Sequence, residues 1–107
     1  MKLWIDDQIN DPLTTFRHPT EGFIGVESVE AAIEAVKQHG YPSFLQLDHD
    51  LGTDKNGNEI KVISFLQWLF DNFPDKLPPD YAVHSQNPNG VENIHSFMGS
   101  WKKAYYL

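Results

Sequence analysis

Three short apolar runs in this chain each stop abruptly on a polar, chemically active cluster, and this pattern constrains the fold most. Lys2-Leu3-Trp4-Ile5 runs into Asp6-Asp7. Ser43-Phe44-Leu45-Gln46-Leu47 runs into Asp48-His49-Asp50-Leu51-Gly52, and Tyr81-Ala82-Val83 runs into His84-Ser85-Gln86-Asn87-Pro88. A fourth run, Phe23-Ile24-Gly25-Val26, has no such cluster. Apolar runs of this length, bounded by polar residues, read as buried strands.

Helical patterns fall between the strands. Ser28 is a suitable N-cap, and Val29, Ala32, Ile33 and Val36 repeat at i, i+3, i+4, i+7, with Gly40 and Pro42 as the stop. Thr53 to Asn58 is polar and reads as a loop. A second helix is expected from Glu59 to Phe73, stopped by Pro74. Its apolar residues cover more than one face, as in a helix packed between two others or against a partner protein. Asn89-Gly90 opens a last helix carrying Val91, Ile94, Phe97, Met98 and Trp101. Trp101 to Leu107 is aromatic, with three places open to it: on the sheet, as its extension, or at a partner surface. Gln8 to Gly22 holds Pro12 and Pro19 and reads as a long connection.

Strands alternating with helices imply right-handed βαβ units. The expected fold is α/β, a three-layer receiver/flavodoxin-like arrangement with a short, mostly parallel sheet in the order 2-1-3-4. With 107 residues and no linker, one domain spans residues 1–107. Strands 1 and 3 then lie side by side with connections leaving to opposite faces, and ligands bind beyond the carboxyl ends at such a switch point.

That topology gathers the clusters on one edge. Asp6, Asp7, Asp48 and Asp50 would converge there with His49, His84, Ser85, Gln86 and Asn87. Several carboxylates packed together repel unless one is protonated or a cation sits among them. An oxygen-only set suits Mg²⁺, Mn²⁺ or Ca²⁺. Aspartates after strands also serve as turn and cap residues. His49 and His84 suit acid–base work or phosphate contact, with surface or capping roles as the plainer alternative. His18, His39 and His95 are read as structural. Ser85 can donate to a phosphoryl oxygen; Asn87 can do the same or cap the turn before Pro88. Arg17, the single arginine, fits a bidentate phosphate contact or a solvated loop position.

The charge balance, 8 basic against 15 acidic residues for a net −7, argues against duplex DNA as a partner. It leaves room for a small phosphate ligand held through a divalent cation. With no cysteine, a thiolate metal site and a cysteine nucleophile are excluded. No apolar run approaches membrane-spanning length and the first residues are not a signal peptide, so a cytoplasmic location is the expectation.

The acidic pair Asp6-Asp7, the aspartate at 48 and the hydroxyl at Ser85 resemble the response-regulator receiver domain. That likeness matches Asp6 and Asp7 to its metal-binding pair, Asp48 to its phosphoacceptor and Ser85 to the hydroxyl beside the phosphoryl group. Receivers carry a fifth strand and a lysine near it, whereas only one helix remains here after the fourth. Leu3-Trp4-Ile5-Asp6-Asp7, Leu47-Asp48-His49-Asp50-Leu51-Gly52 and Val83-His84-Ser85-Gln86-Asn87-Pro88 are together more similar to the cyclic-phosphate processing receiver domain. The position where that group often carries an arginine, two after the acidic pair, is Ile9 here.

The resemblance implies processing of a cyclic phosphate on a nucleotide or an RNA end. On that reading Asp6, Asp7, Asp48 and Asp50 hold Mg²⁺ or Mn²⁺, and Asp48, His49, His84 and Ser85 are catalytic. Ser85, Asn87 and Arg17 hold the phosphate. The rival reading is a receiver-like module that binds a phosphate ligand or a partner protein without turnover.

Overall fold

The structure, a computed structural model, describes residues 1–13 and 18–107. Its elements run β1 (Lys2–Ile5), β2 (Phe23–Val26), α1 (Val29–His39), β3 (Phe44–Leu47), β4 (Asp50–Thr53), β5 (Glu59–Lys61), α2 (Ile63–Asn72), β6 (Asp80–Val83) and α3 (Pro88–Tyr105). Four strands form a parallel sheet in the order β2-β1-β3-β6, the topology expected from the sequence.

The register decides what faces what. Ile5 pairs with Val26 and Leu47, and Leu47 with Val83. Successive side chains of a strand point to opposite faces, so Leu3, Ile5, Leu45 and Leu47 share one face. All four are fully buried, in one core with Ala32, Val36, Phe65, Leu66, Leu69, Ile94, Met98 and Trp101 from the three helices. One-sidedness follows from the strand order. The crossovers β2 to β3 and β3 to β6 advance in the same direction, so right-handed connections place their helices on the same face. The β1 to β2 connection runs the other way and crosses the opposite face. There a Cβ on Gly25 would meet Pro19 at 2.6 Å and Ile9 at 3.3 Å. The layers are therefore helices, sheet and a connecting segment.

Helix α1 is built as its sequence implies. Ser28 Oγ accepts from the Ala31 N–H at 3.1 Å, and the Gly40 N–H closes the last turn on the Val36 carbonyl at 2.8 Å. Helix α2 packs between α1 and α3, which accounts for its apolar residues on more than one face.

The expected helix from Glu59 starts late. Residues Glu59–Lys61 form β5, antiparallel to β4. Local turn chemistry outweighs the helical apolar period here. Asp54 Oδ1 accepts from the N–H groups of Asn56 and Asn58 at 2.8 and 3.0 Å, and Asp54 N–H donates to the Asn58 carbonyl at 2.9 Å. The Val62 N–H then donates to the His49 carbonyl at 2.9 Å, extending the β4–β5 pairing by one residue before the helix begins. At the other end α3 starts at Pro88 and carries the aromatic tail as helix to Tyr105.

Candidate metal and phosphate site

Backbone pairing continues one residue beyond each central strand and sets the site. The N–H groups of Asp6, Asp48 and His84 donate to the carbonyls of Val26, Ile5 and Leu47 at 3.1, 3.0 and 3.0 Å. The first residue of each polar cluster is thus held in sheet register, on the face opposite the helices. Asp6 is fully buried and Asp48 nearly so.

Three carboxylates meet here. Asp6, Asp7 and Asp48 each offer an oxygen, and all three atoms lie within 4.8 Å of one another. Asp6 Oδ1 accepts from the Gln8 N–H and Oδ2 from His84 Nε2, both at 2.8 Å. Hard oxygen donors this close, two of them on buried residues, fit Mg²⁺ or Mn²⁺: such a cation prefers carboxylates and removes their mutual repulsion.

A cleft of about 410 Å³ opens above the cluster, lined by Asp7, Gln8, Asp48, Asp50, Gly52, His84, Ser85, Gln86 and Asn87. Among the described residues its wall holds no lysine or arginine. Gly52, with φ 84°, brings the hairpin close to Asp7: a Cβ there would lie 3.4 Å from Asp7 Oδ2.

Asp50 is turned to other partners than the three-carboxylate group. Its Oδ1 accepts from His49 Nδ1 at 2.9 Å and its Oδ2 from Asn87 Nδ2 at 3.2 Å. Burial pushes its carboxyl up, but the hydrogen bonds from Asn87 and His49, with the charges of His49 and Lys61, outweigh this and hold it below the ordinary aspartate value. Asn87 also caps α3, its Oδ1 accepting from the Gly90 N–H at 3.1 Å, and its own N–H donates to Ser85 Oγ at 3.1 Å. The capping role expected of Asn87 is thus met at the start of α3, and the same residue lines the cleft.

The two histidines part company. His84 lies on the cleft wall with both ring nitrogens engaged, Nε2 with Asp6 and Nδ1 with Gln46 Nε2 at 2.9 Å. Its ring also packs against Trp4, centroids 5.3 Å apart. His49 does not reach the cleft. It is 1% exposed and lies against α3, where a Cβ on Gly90 would come within 2.4 Å of its ring, so only glycine fits there. Its free edge belongs to a separate depression with Lys61, Asn93 and Ser96. Direct contact with a ligand in the cleft, expected from its place between two aspartates, is replaced by a hydrogen bond to Asp50. A strand-end histidine one residue past Asp48 alternates to the other face, and that is the physical reason.

Arg17 lies outside the described residues. Gln8, Gly52 and Gln46 join the site without having been singled out from sequence. Gln46 had a readable signal, a lone polar residue inside an apolar strand, and Gly52 closes the Asp48-His49-Asp50-Leu51-Gly52 cluster; Gln8 had none beyond proximity to an aspartate.

Comparison with known protein families gives one result. A family model described as the cyclic-phosphate processing receiver domain matches residues 1–100. No curated protein and no solved structure matches. No helix among the described residues is long and apolar enough to cross a membrane.

Proposed function

Because the chain belongs to the cyclic-phosphate processing receiver domain family, we propose that it is a metal-dependent phosphoesterase. Its substrate would be a cyclic phosphate on a nucleotide or at an RNA end. One observation carries the reading: three aspartate oxygens within 4.8 Å of one another at the base of a cleft with room for a phosphate and part of its sugar. Asp6, Asp7 and Asp48 would hold Mg²⁺ or Mn²⁺, whose charge stabilises the negative charge growing on the phosphoryl oxygens. The same charge admits an anionic substrate to a wall otherwise lined by carboxylates.

The chain's own groups supply the rest. Asn87 N–H occupies a lone pair of Ser85 Oγ, so the Ser85 hydroxyl hydrogen is available to donate to a phosphoryl oxygen. Asp50, held ionised by its two donors, takes the proton of the attacking water as the new P–O bond forms. The ring P–O bond breaks on the opposite side of phosphorus, and the departing ribose oxygen takes a proton from solvent at the open mouth of the cleft. His49 and His84 serve from behind, His49 orienting Asp50 and His84 orienting Asp6.

The test is ³¹P NMR of the protein with 2′,3′-cyclic nucleotides and with a short RNA ending in a cyclic phosphate, in Mg²⁺, Mn²⁺ or EDTA. Ring opening that needs the metal and disappears in Asp48→Asn is the expected result. An unchanged spectrum with metal binding retained would leave a phosphate- or protein-binding module in its place.

A further inference from the structure

Gln46 interrupts the apolar run of β3, and the reaction described above does not use it. Its register partners are Trp4 on β1 and Ala82 on β6. These three share the face of Asp6, Asp48 and His84, one pleat earlier along the strands. Ala82 ends at Cβ, so the Gln46 side chain can pass over it toward the end of β6. Its Nε2 lies 2.9 Å from His84 Nδ1.

An amide nitrogen only donates, so His84 Nδ1 must accept. The neutral ring then carries its proton on Nε2 and gives it to Asp6 Oδ2 at 2.8 Å. The reverse tautomer would set the Nε2 lone pair against a carboxylate oxygen at that distance, two acceptors face to face. With Gln8 N–H holding Oδ1 at 2.8 Å, the Asp6 carboxylate is gripped at both oxygens. Partners one step removed from a ligand fix its rotation in this way.

We propose that Gln46 is a positioning residue for the aspartate cluster: it holds His84 as the Nε2–H tautomer, and His84 in turn fixes Asp6 in the orientation that faces Asp7 and Asp48. In assigning the cluster a cation, the inference rests on the phosphoesterase reading; the tautomer assignment does not.

Two measurements test it. The first is the long-range ¹H–¹⁵N spectrum of the His84 imidazole in labelled protein, read at a pH where the ring is neutral, for wild type and Gln46→Leu. The second is Mn²⁺ affinity by titration of the free-ion EPR signal. Wild type is expected to show a single Nε2–H ring. Gln46→Leu is expected to mix the tautomers. Gln46→Leu is also expected to bind Mn²⁺ about 10- to 100-fold more weakly. A wild-type neutral ring that carries its proton on Nδ1 overturns the proposal without recourse to any variant. So does a Gln46→Leu protein that keeps the wild-type tautomer and binds Mn²⁺ within about twofold of wild type. Failure of the wild type to bind Mn²⁺ at all overturns the phosphoesterase reading, and the imidazole spectrum still decides the role of Gln46.

Discussion

Replacing Asp48 with Asn should make the metal-free protein more stable and the metal-loaded protein less so. Each pair among Asp6, Asp7 and Asp48 has oxygens within 4.8 Å. At an effective dielectric of about 20, an ionised pair at that distance repels by about 3.5 kcal/mol. Protonation sets a ceiling, since neutralising an ordinary aspartate at neutral pH costs about 4 kcal/mol. Asp48→Asn puts a neutral amide at the crowded position and removes most of that cost. Loss of the contacts that Asp48 itself makes offsets part of the gain. The net expectation is a stabilisation of about 1–2 kcal/mol in EDTA, at roughly 4–8 °C of melting temperature per kcal/mol for a domain of this size. Mg²⁺ at a hundredfold excess over its dissociation constant adds about 2.7 kcal/mol to the wild type and little to the variant. Thermal melts of both proteins in EDTA and across a Mg²⁺ series should therefore cross. A variant that melts below wild type in EDTA, or one that gains as much from Mg²⁺, would refute the electrostatic reasoning.

Three further outcomes are expected. Gly90→Ala would ordinarily strengthen a helix by about 1 kcal/mol, but its Cβ would lie 2.4 Å from the His49 ring, so a loss of about 1–3 kcal/mol in urea unfolding is expected instead. Asn87→Ala removes the α3 cap and a donor to Asp50 and should cost about 1–2 kcal/mol; Asn87→Asp should recover the cap while setting a second carboxylate against Asp50, so its shortfall would grow as salt is lowered. Burial of the Tyr41 hydroxyl, which donates to the Leu77 carbonyl at 2.6 Å, raises its pKa to about 12. The unfolded chain then loses this proton first, so stability should fall as pH rises from about 10 to 12. Ultraviolet titration reads the phenol directly, and Tyr41→Phe should flatten that stretch of the stability curve.

Strand order, the single parallel sheet and the edge at which the polar clusters meet were all legible in the sequence. Those features follow from local signals: short apolar runs, the Ser28 cap, stops at Gly40 and Pro74, and the handedness of crossovers, which needs no knowledge of packing. Asp6, Asp7 and Asp48 were legible for the same reason, because each follows a strand whose end the topology fixes. The hairpin from Asp50 to Lys61 was hidden, since Ile60 and Val62 fit a helical period and only the hydrogen bonds of Asp54 and the tie from Val62 to His49 override it. The sorting of the histidines was equally out of reach. His49 and His84 both follow strands, but they differ in strand parity: pleating turns His49 toward α3 and leaves His84 beside Asp6. Gln46 takes its place in the site only through its register with Ala82 and the reach of its amide to His84. Sequence periodicity assigns a residue to a face of its own strand; which atoms of neighbouring strands it meets depends on register, pleat and side-chain length together, and these are settled only when the chain packs.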